Sequence, residues 1–263
     1  MKYLSVASIY WKAQMAWRFD VVLSAALTVS RVLLASILWG AIYAGRDLVA
    51  GLTLRQMLTY YVVCAFLREL DQSSGTCGEF AARIRHGSFS AYMVRPVRAQ
   101  GHFFAQTAGV EAFYGMFQLA AMVLWVFALG IDFSPAATAA EIFAACAMAA
   151  LGLAFMAALN FLICVFAFRF SDVSTFSMIK DSVMNLATGA LLPLSLMPAG
   201  VVAVMRHLPF YYVAYLPSML VLGRETERMA RGMTTLAAWT LGLILLGGFL
   251  YERERVRYDG VGI

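Results

Sequence analysis

Apolar runs long enough to cross a bilayer, separated by short charged segments, occupy this chain from Val21 to Tyr251. A run of about 20 apolar residues makes a helix that spans a hydrocarbon core of roughly 30 Å. The first run, Val21 to Tyr43, reaches about 34 Å at 1.5 Å per residue. Trp39 and Tyr43 are expected at its outer end, where amphipathic rings favour the interface. Further runs at 54–70, 103–129 (Trp125 near its outer end), 136–168, 182–197 and 233–251 give about six crossings. The second is the least apolar, since Arg55, Arg68 and Glu69 lie near its ends and must snorkel. A turn is expected at Gly130 to Pro135. The fourth run is long enough, at about 50 Å, that it must tilt, kink near Gly152 or project beyond the bilayer.

Composition supports the same class. Of 263 residues, 62% are hydrophobic and 13% charged, too few charges to clothe a soluble surface. The expected fold is all-α and polytopic, a single transmembrane domain over residues 1–263. The net charge of +5 flanks the apolar runs instead of forming a stripe, which argues against a nucleic-acid partner. Cys64, Cys77, Cys146 and Cys164 form no CxxC pair and read as small buried hydrophobes.

Residues 1–20 interleave Lys2, Lys12, Arg18 and Asp20 with Leu4, Ile9, Trp11, Met15 and Trp17. That pattern suits an amphipathic helix lying on membrane lipid, not a cleavable leader. Residues 71–102 form the largest hydrophilic segment. Within it, 79–85 is helix-forming, with Phe80 and Ile84 on one face and Gly87 as its stop. A short amphipathic helix on such a loop suits docking into a groove of a soluble partner.

Pro193, Pro198, Pro209 and Pro217 crowd the apolar stretch before the last run, with Arg206 and His207 between them. Proline breaks helices, and broken backbone inside a membrane is tolerated only in protein or beside water. Residues 198–222 are therefore expected to form a re-entrant hairpin of short helices. With both termini cytoplasmic, thirteen of the 20 basic residues fall inside, including the Arg253, Arg255, Arg257 tail. Arg31, well within the first run, is expected to face a cavity or pair with a carboxylate on a translocation path. Glu141, Asn160 and Asn185 also fall in or near spans; Glu141 reads as interfacial and the asparagines as helix–helix bonds.

No residue set for catalysis, metal binding or nucleotide binding is present in the pattern. The three lysines, Lys2, Lys12 and Lys180, follow no glycine, which excludes a P-loop. His86, His102 and His207 are isolated. The chain is not expected to be an enzyme. A lipid-linked-substrate enzyme and a stand-alone channel or ion-coupled carrier remain as competing readings.

The run IRHGSFSAYMVRPV, 84–97, resembles the cytoplasmic-loop signature of ABC type-2 exporter permeases, in particular a bacterial subfamily with I-R-x-G, six residues, then hydrophobic-R-P. WRFDVVLS (17–24), GLTLRQMLTYYVV (51–63), LLPLSLMP (191–198) and LPFYYVAYLPSMLVLG (208–223) are also similar, and they occur in the same order. The resemblance implies a six-span half-transporter of a bacterial inner membrane that pairs with a second permease, identical or paralogous. It implies two ATP-binding-cassette subunits that carry the ATP and magnesium. Phe80, Arg83, Ile84, Arg85, Gly87, Arg95 and Pro96 would then meet the ATPase, with Arg83 and Arg85 facing acidic groups. Pro198, Pro209, Phe210, Tyr211 and Pro217 would belong to an outer gate.

Overall fold

The computed structural model describes residues 2–94, 97–128, 130, 135–170, 172–189 and 192–258. Arg95, Pro96, residues 131–134 of the expected turn and the side chains of Arg18 and Trp125 lie outside them. The described chain is helical; its one β-type pairing is an isolated bridge between Val49 and Leu52. In order come α1 Lys2–Ala13, α2 Arg18–Ile42, α3 Leu54–Leu70, α4 Ser73–Arg85, α5 Ser90–Met93, α6 Ala99–Ala128, α7 Ala139–Val165, α8 Ser174–Ala187, α9 Ala199–Met205, α10 Leu216–Val221 and α11 Met229–Glu254.

Four helical segments are long and apolar enough to cross a membrane: Phe19–Ile42, Ala99–Leu124, Ala139–Phe168 and Thr226–Glu254. α3 has 17 residues and α8 has 14, shorter than these. Leu23, Leu27, Leu34, Ile37, Leu124, Phe127, Phe143, Leu245 and Phe249 point outward. An apolar belt of that extent is stable only against lipid.

Local chemistry fixes the ends of several helices. Thr53 and Gln56 close a reciprocal capping box on α3, at 3.2 and 3.3 Å. Thr138 and Glu141 do the same on α7, so Glu141 satisfies a helix start and also accepts from the Thr226 hydroxyl. α7 runs unbroken through Gly152, where a Cβ would lie 3.4 Å from the Val213 carbonyl. Of tilt, kink and projection, the kink at Gly152 is thus not taken, and the glycine serves as a close packing point.

α8 departs from its expected position of 182–197. It starts eight residues earlier, where Asp172 accepts the Ser174 N–H at 2.9 Å and the Ser174 hydroxyl at 2.7 Å. It stops before Gly189, whose φ of +76° no longer continues a helix. The Tyr60 hydroxyl donates to the Gly189 carbonyl at 2.7 Å, which ties this turn to α3.

Two clusters make the interior. One, around Met57, Tyr60, Met148, Phe155, Tyr211, Leu216 and Leu236, joins α3, α7, α10 and α11. Trp39 and Tyr43 also belong to it. They were expected as interfacial anchors, but their rings are buried, and the Tyr43 hydroxyl donates to the Leu52 carbonyl at 2.8 Å. The other cluster gathers Phe80, Ile84, Phe89, Tyr92, Phe103, Phe161 and Tyr251. α1 lies across α6 so closely that a Cβ on Gly109 would stand 2.2 Å from the Ala7 carbonyl oxygen. The outer side of α1 leaves Leu4 and Ile9 exposed.

Candidate translocation cavity and loop platform

Residues 71–94 and 97–102 build a folded platform, not a loose loop. α4 is longer than expected, covering 73–85, and Gly87 (φ +74°) follows its end. Phe80 packs against Phe89, Tyr92 and Phe103 at centroid distances of 5.3, 5.0 and 5.6 Å. The Phe89 N–H donates to the Tyr258 hydroxyl at 3.1 Å, which fastens the platform to the C-terminal segment.

Phe80 and Ile84 thus share a face, as their spacing predicts, but the chain's own aromatic core covers that face. They are not free to enter a partner's groove. Gly75, Gly78, Glu79, His86, Met93 and Val94 are exposed instead, Val94 to 84%. Arg83 is half-buried, its guanidinium 5.4 Å from the Tyr92 ring centroid. Arg85 lies 4.0 Å from Asp172, linking the platform to the start of α8.

The charged segments collect at two ends. Arg169 at the end of α7 bonds Glu254 at the end of α11 at 2.8 Å, beside the Arg85–Asp172 contact. At the other end, Arg224 reaches Gln56 at 3.3 Å, Arg228 pairs with Glu225 at 2.9 Å, and Tyr211 donates to Glu225.

The broken stretch at 198–222 sits at this second end. Pro198 begins α9; Pro209 and Pro217 are buried; Phe210 faces Phe155 at 6.2 Å. Residues 211–215 form a π-type turn. Pro217 has no N–H to offer the carbonyl of Val213, four residues before it, so regular α-helical pairing fails there.

Val213 and Ala214 line a cavity of about 270 Å³ between α3, α4, α7 and α8. Its polar lining is Arg68, Asp71, Ser74, Asp181, Asn185 and Thr188; Gly152, Leu153, Met156 and Met184 supply apolar wall. Lys180 stands behind this wall, bonded to two of the lining residues, Ser74 and Asp181. Its ammonium donates to Ser74 at 2.7 Å and Asn160 at 3.0 Å and pairs with Asp181 at 2.7 Å. Three donors therefore have three partners, which is what makes a buried amine tolerable. Asn160 donates in turn to Ser73 at 2.6 Å, and Ser73 bonds Asp71. Lys180 precedes the apolar run expected at 182–197, so the sequence alone leaves it outside the spans. Its burial follows from the early start of α8, which the Asp172–x–Ser174 turn could have signalled.

Arg31 takes the carboxylate partner expected of it, bonding Glu69 at 2.6 Å. Glu69 is the penultimate residue of α3, so Arg31 lies level with that helix end. Both line a second cavity of about 270 Å³ against α2, with Thr28, Trp39, Tyr61 and Arg68.

A family model described as ABC-2 family transporter protein matches residues 29–262, nearly the whole chain. The chain belongs to the ABC-2 family of transporter proteins. Membership makes it a membrane-embedded transport subunit of the permease type, and implies association with an ATP-binding-cassette ATPase. No curated protein and no solved structure gives a match. The family assignment agrees with a described chain that is helical and bears transmembrane-length apolar helices.

Proposed function

We propose that this ABC-2 chain is the permease subunit of an ATP-driven exporter in a bacterial cytoplasmic membrane, with ATP and magnesium bound on a separate ATPase. The family match over 29–262 carries this reading. In it, α2, α3, α6, α7, α8 and α11 make six crossings, both termini are cytoplasmic, and α9–α10 re-enters from the outer side. The separation of the basic segments into two ends supports that arrangement. The exposed Leu4 and Ile9 support an α1 that lies on lipid headgroups.

The platform of α4 and α5 is the docking surface for the ATPase. Exposed Met93 and Val94 supply its apolar part, and half-buried Arg83 and Arg85 its charge. Phe80 and Ile84 hold the platform together from beneath. Ser73 and Ser74 join α4 to Asn160 and Lys180 at the cavity wall. Movement of α4 on ATP binding is thereby passed to α8, and the cavity changes shape. α8 touches the rest of the chain through few side chains and exposes Met178, Ile179, Val183 and Leu186. That face suits a second permease subunit, so that two cavities meet on one path.

Co-expression with the genes beside its own, followed by gentle solubilisation, tests the reading. A P-loop ATPase should co-purify in equal amount. A chain that leaves native membranes as a stable particle with no ATPase overturns it and favours a channel or ion-coupled carrier.

A further inference from the structure

A third cavity, of about 650 Å³, opens between α3, α6, α7 and α11. Its wall is almost wholly apolar, from Phe66, Leu70, Phe104, Leu119, Leu153 and Ile244. Two polar side chains interrupt it, both on α6 one turn apart. The Thr107 hydroxyl and the Oε1 of Glu111 are buried there without a hydrogen-bond partner. Thr107 is 1% exposed. Among the described residues no basic side chain pairs with Glu111. Its carboxyl group lies within electrostatic reach of Asp71, another acid. A carboxyl group and a hydroxyl left unsatisfied in an apolar site are costly unless something occupies them.

We propose that this groove binds one amphiphile bearing a protonated amine. The amine sits between Glu111 and Thr107, and the hydrocarbon tail lies along Phe66, Leu119 and Leu153. Glu111 shares the groove wall with Leu70, the last residue of α3, which puts it at the level of that helix end. An amine there is at headgroup depth while its tail extends alongside Gly115 and Leu119 into the hydrocarbon. The charge supplied is the one the site lacks: the groove lining holds no basic side chain, and Asp71 nearby is also acidic. Leu153 lines both this groove and the translocation cavity, so the two abut. That the bound amphiphile is cargo rests on the exporter reading; that it binds does not.

The test uses the purified chain without ATPase, in detergent free of amine-bearing lipid, with dodecylamine and dodecanol as probes and native mass spectrometry as readout. Dodecylamine should bind once per chain and dodecanol much more weakly. E111Q, close to isosteric, should weaken dodecylamine by roughly tenfold or more while leaving dodecanol unchanged. A154F, which fills the groove, should abolish both. Competition by phosphatidylethanolamine would assign the amine to a resident lipid; failure to compete would assign it to a single-chain amphiphile. Equal binding of the two probes, or an E111Q chain that holds dodecylamine as tightly as before, would overturn the proposal.

Discussion

The side-chain carbonyl of Asn160 on α7 accepts from the ammonium of Lys180 on α8 at 3.0 Å, while its amide donates to Ser73 on α4. One asparagine thus joins three helices. Removing a single member leaves a buried donor or acceptor unmatched, which costs about 1–3 kcal/mol. Asn160→Leu and Lys180→Met should each lower the melting temperature of the solubilised chain. The double variant should lose less than the sum of the two, because the groups that need each other go together. Strictly additive losses would show that the network carries no coupling.

α1 is clipped to α6 through Gly109. A side chain there collides with the backbone of Ala7, so Gly109→Val should release α1 and speed proteolysis within residues 2–17. Gly40, with nothing within 4 Å of its Cβ position, is the control: Gly40→Ala should leave both proteolysis and stability unchanged or slightly improved.

Arg31 and Glu69 bridge α2 and α3. Arg31→Glu places two acids together and should reduce yield and melting temperature, and Arg31→Glu with Glu69→Arg should recover most of the loss. The Arg31 side chain is 55% exposed, which limits the pair to about 1 kcal/mol where water or headgroups screen it. No recovery in the double variant would show that Arg31 acts through something other than this pair.

The start of α8 should be pH-sensitive. The Ser174 N–H, and after it the Ser174 hydroxyl, hold the Asp172 carboxyl below the usual carboxylate range. A depressed acid stabilises the fold above its unfolded value of about 4 and loses that contribution as pH falls through its folded value. The protection factor at 174–177, taken relative to the intrinsic exchange rate at each pH, should therefore fall on acidification, and Asp172→Ala should show the lowered protection already at neutral pH.

Much of this was legible in the chain. Long apolar runs gave α2, α6, α7 and α11 because period and length are strong signals in lipid-facing helices. Crowded prolines gave the broken 198–222 stretch, and Gly87 the end of α4. The boundaries of α8 were not legible: its middle carries Lys180 and Asp181, which read as loop until Asn160 and Ser74 are seen to receive the lysine. Phe80 and Ile84 were placed on the correct face, but periodicity says only that a face is apolar, not whether its cover is another chain or the chain itself. Glu111 was visible only as an acid inside an apolar run, and neither its pairing with Thr107 nor the lack of a cation could be read before the neighbouring helices were placed.

The most direct test of the permease account compares two variants of the platform for ATPase capture. Met93→Asp with Val94→Asp alters only exposed side chains, so the chain should keep its melting temperature yet lose the co-purifying ATPase and its stimulated hydrolysis. Phe80→Asp buries a charge in the aromatic core and should destabilise the chain itself. If the Met93, Val94 variant retains a full complement of ATPase while folded, the platform is not the docking surface and the account of how ATP reaches the cavity is wrong.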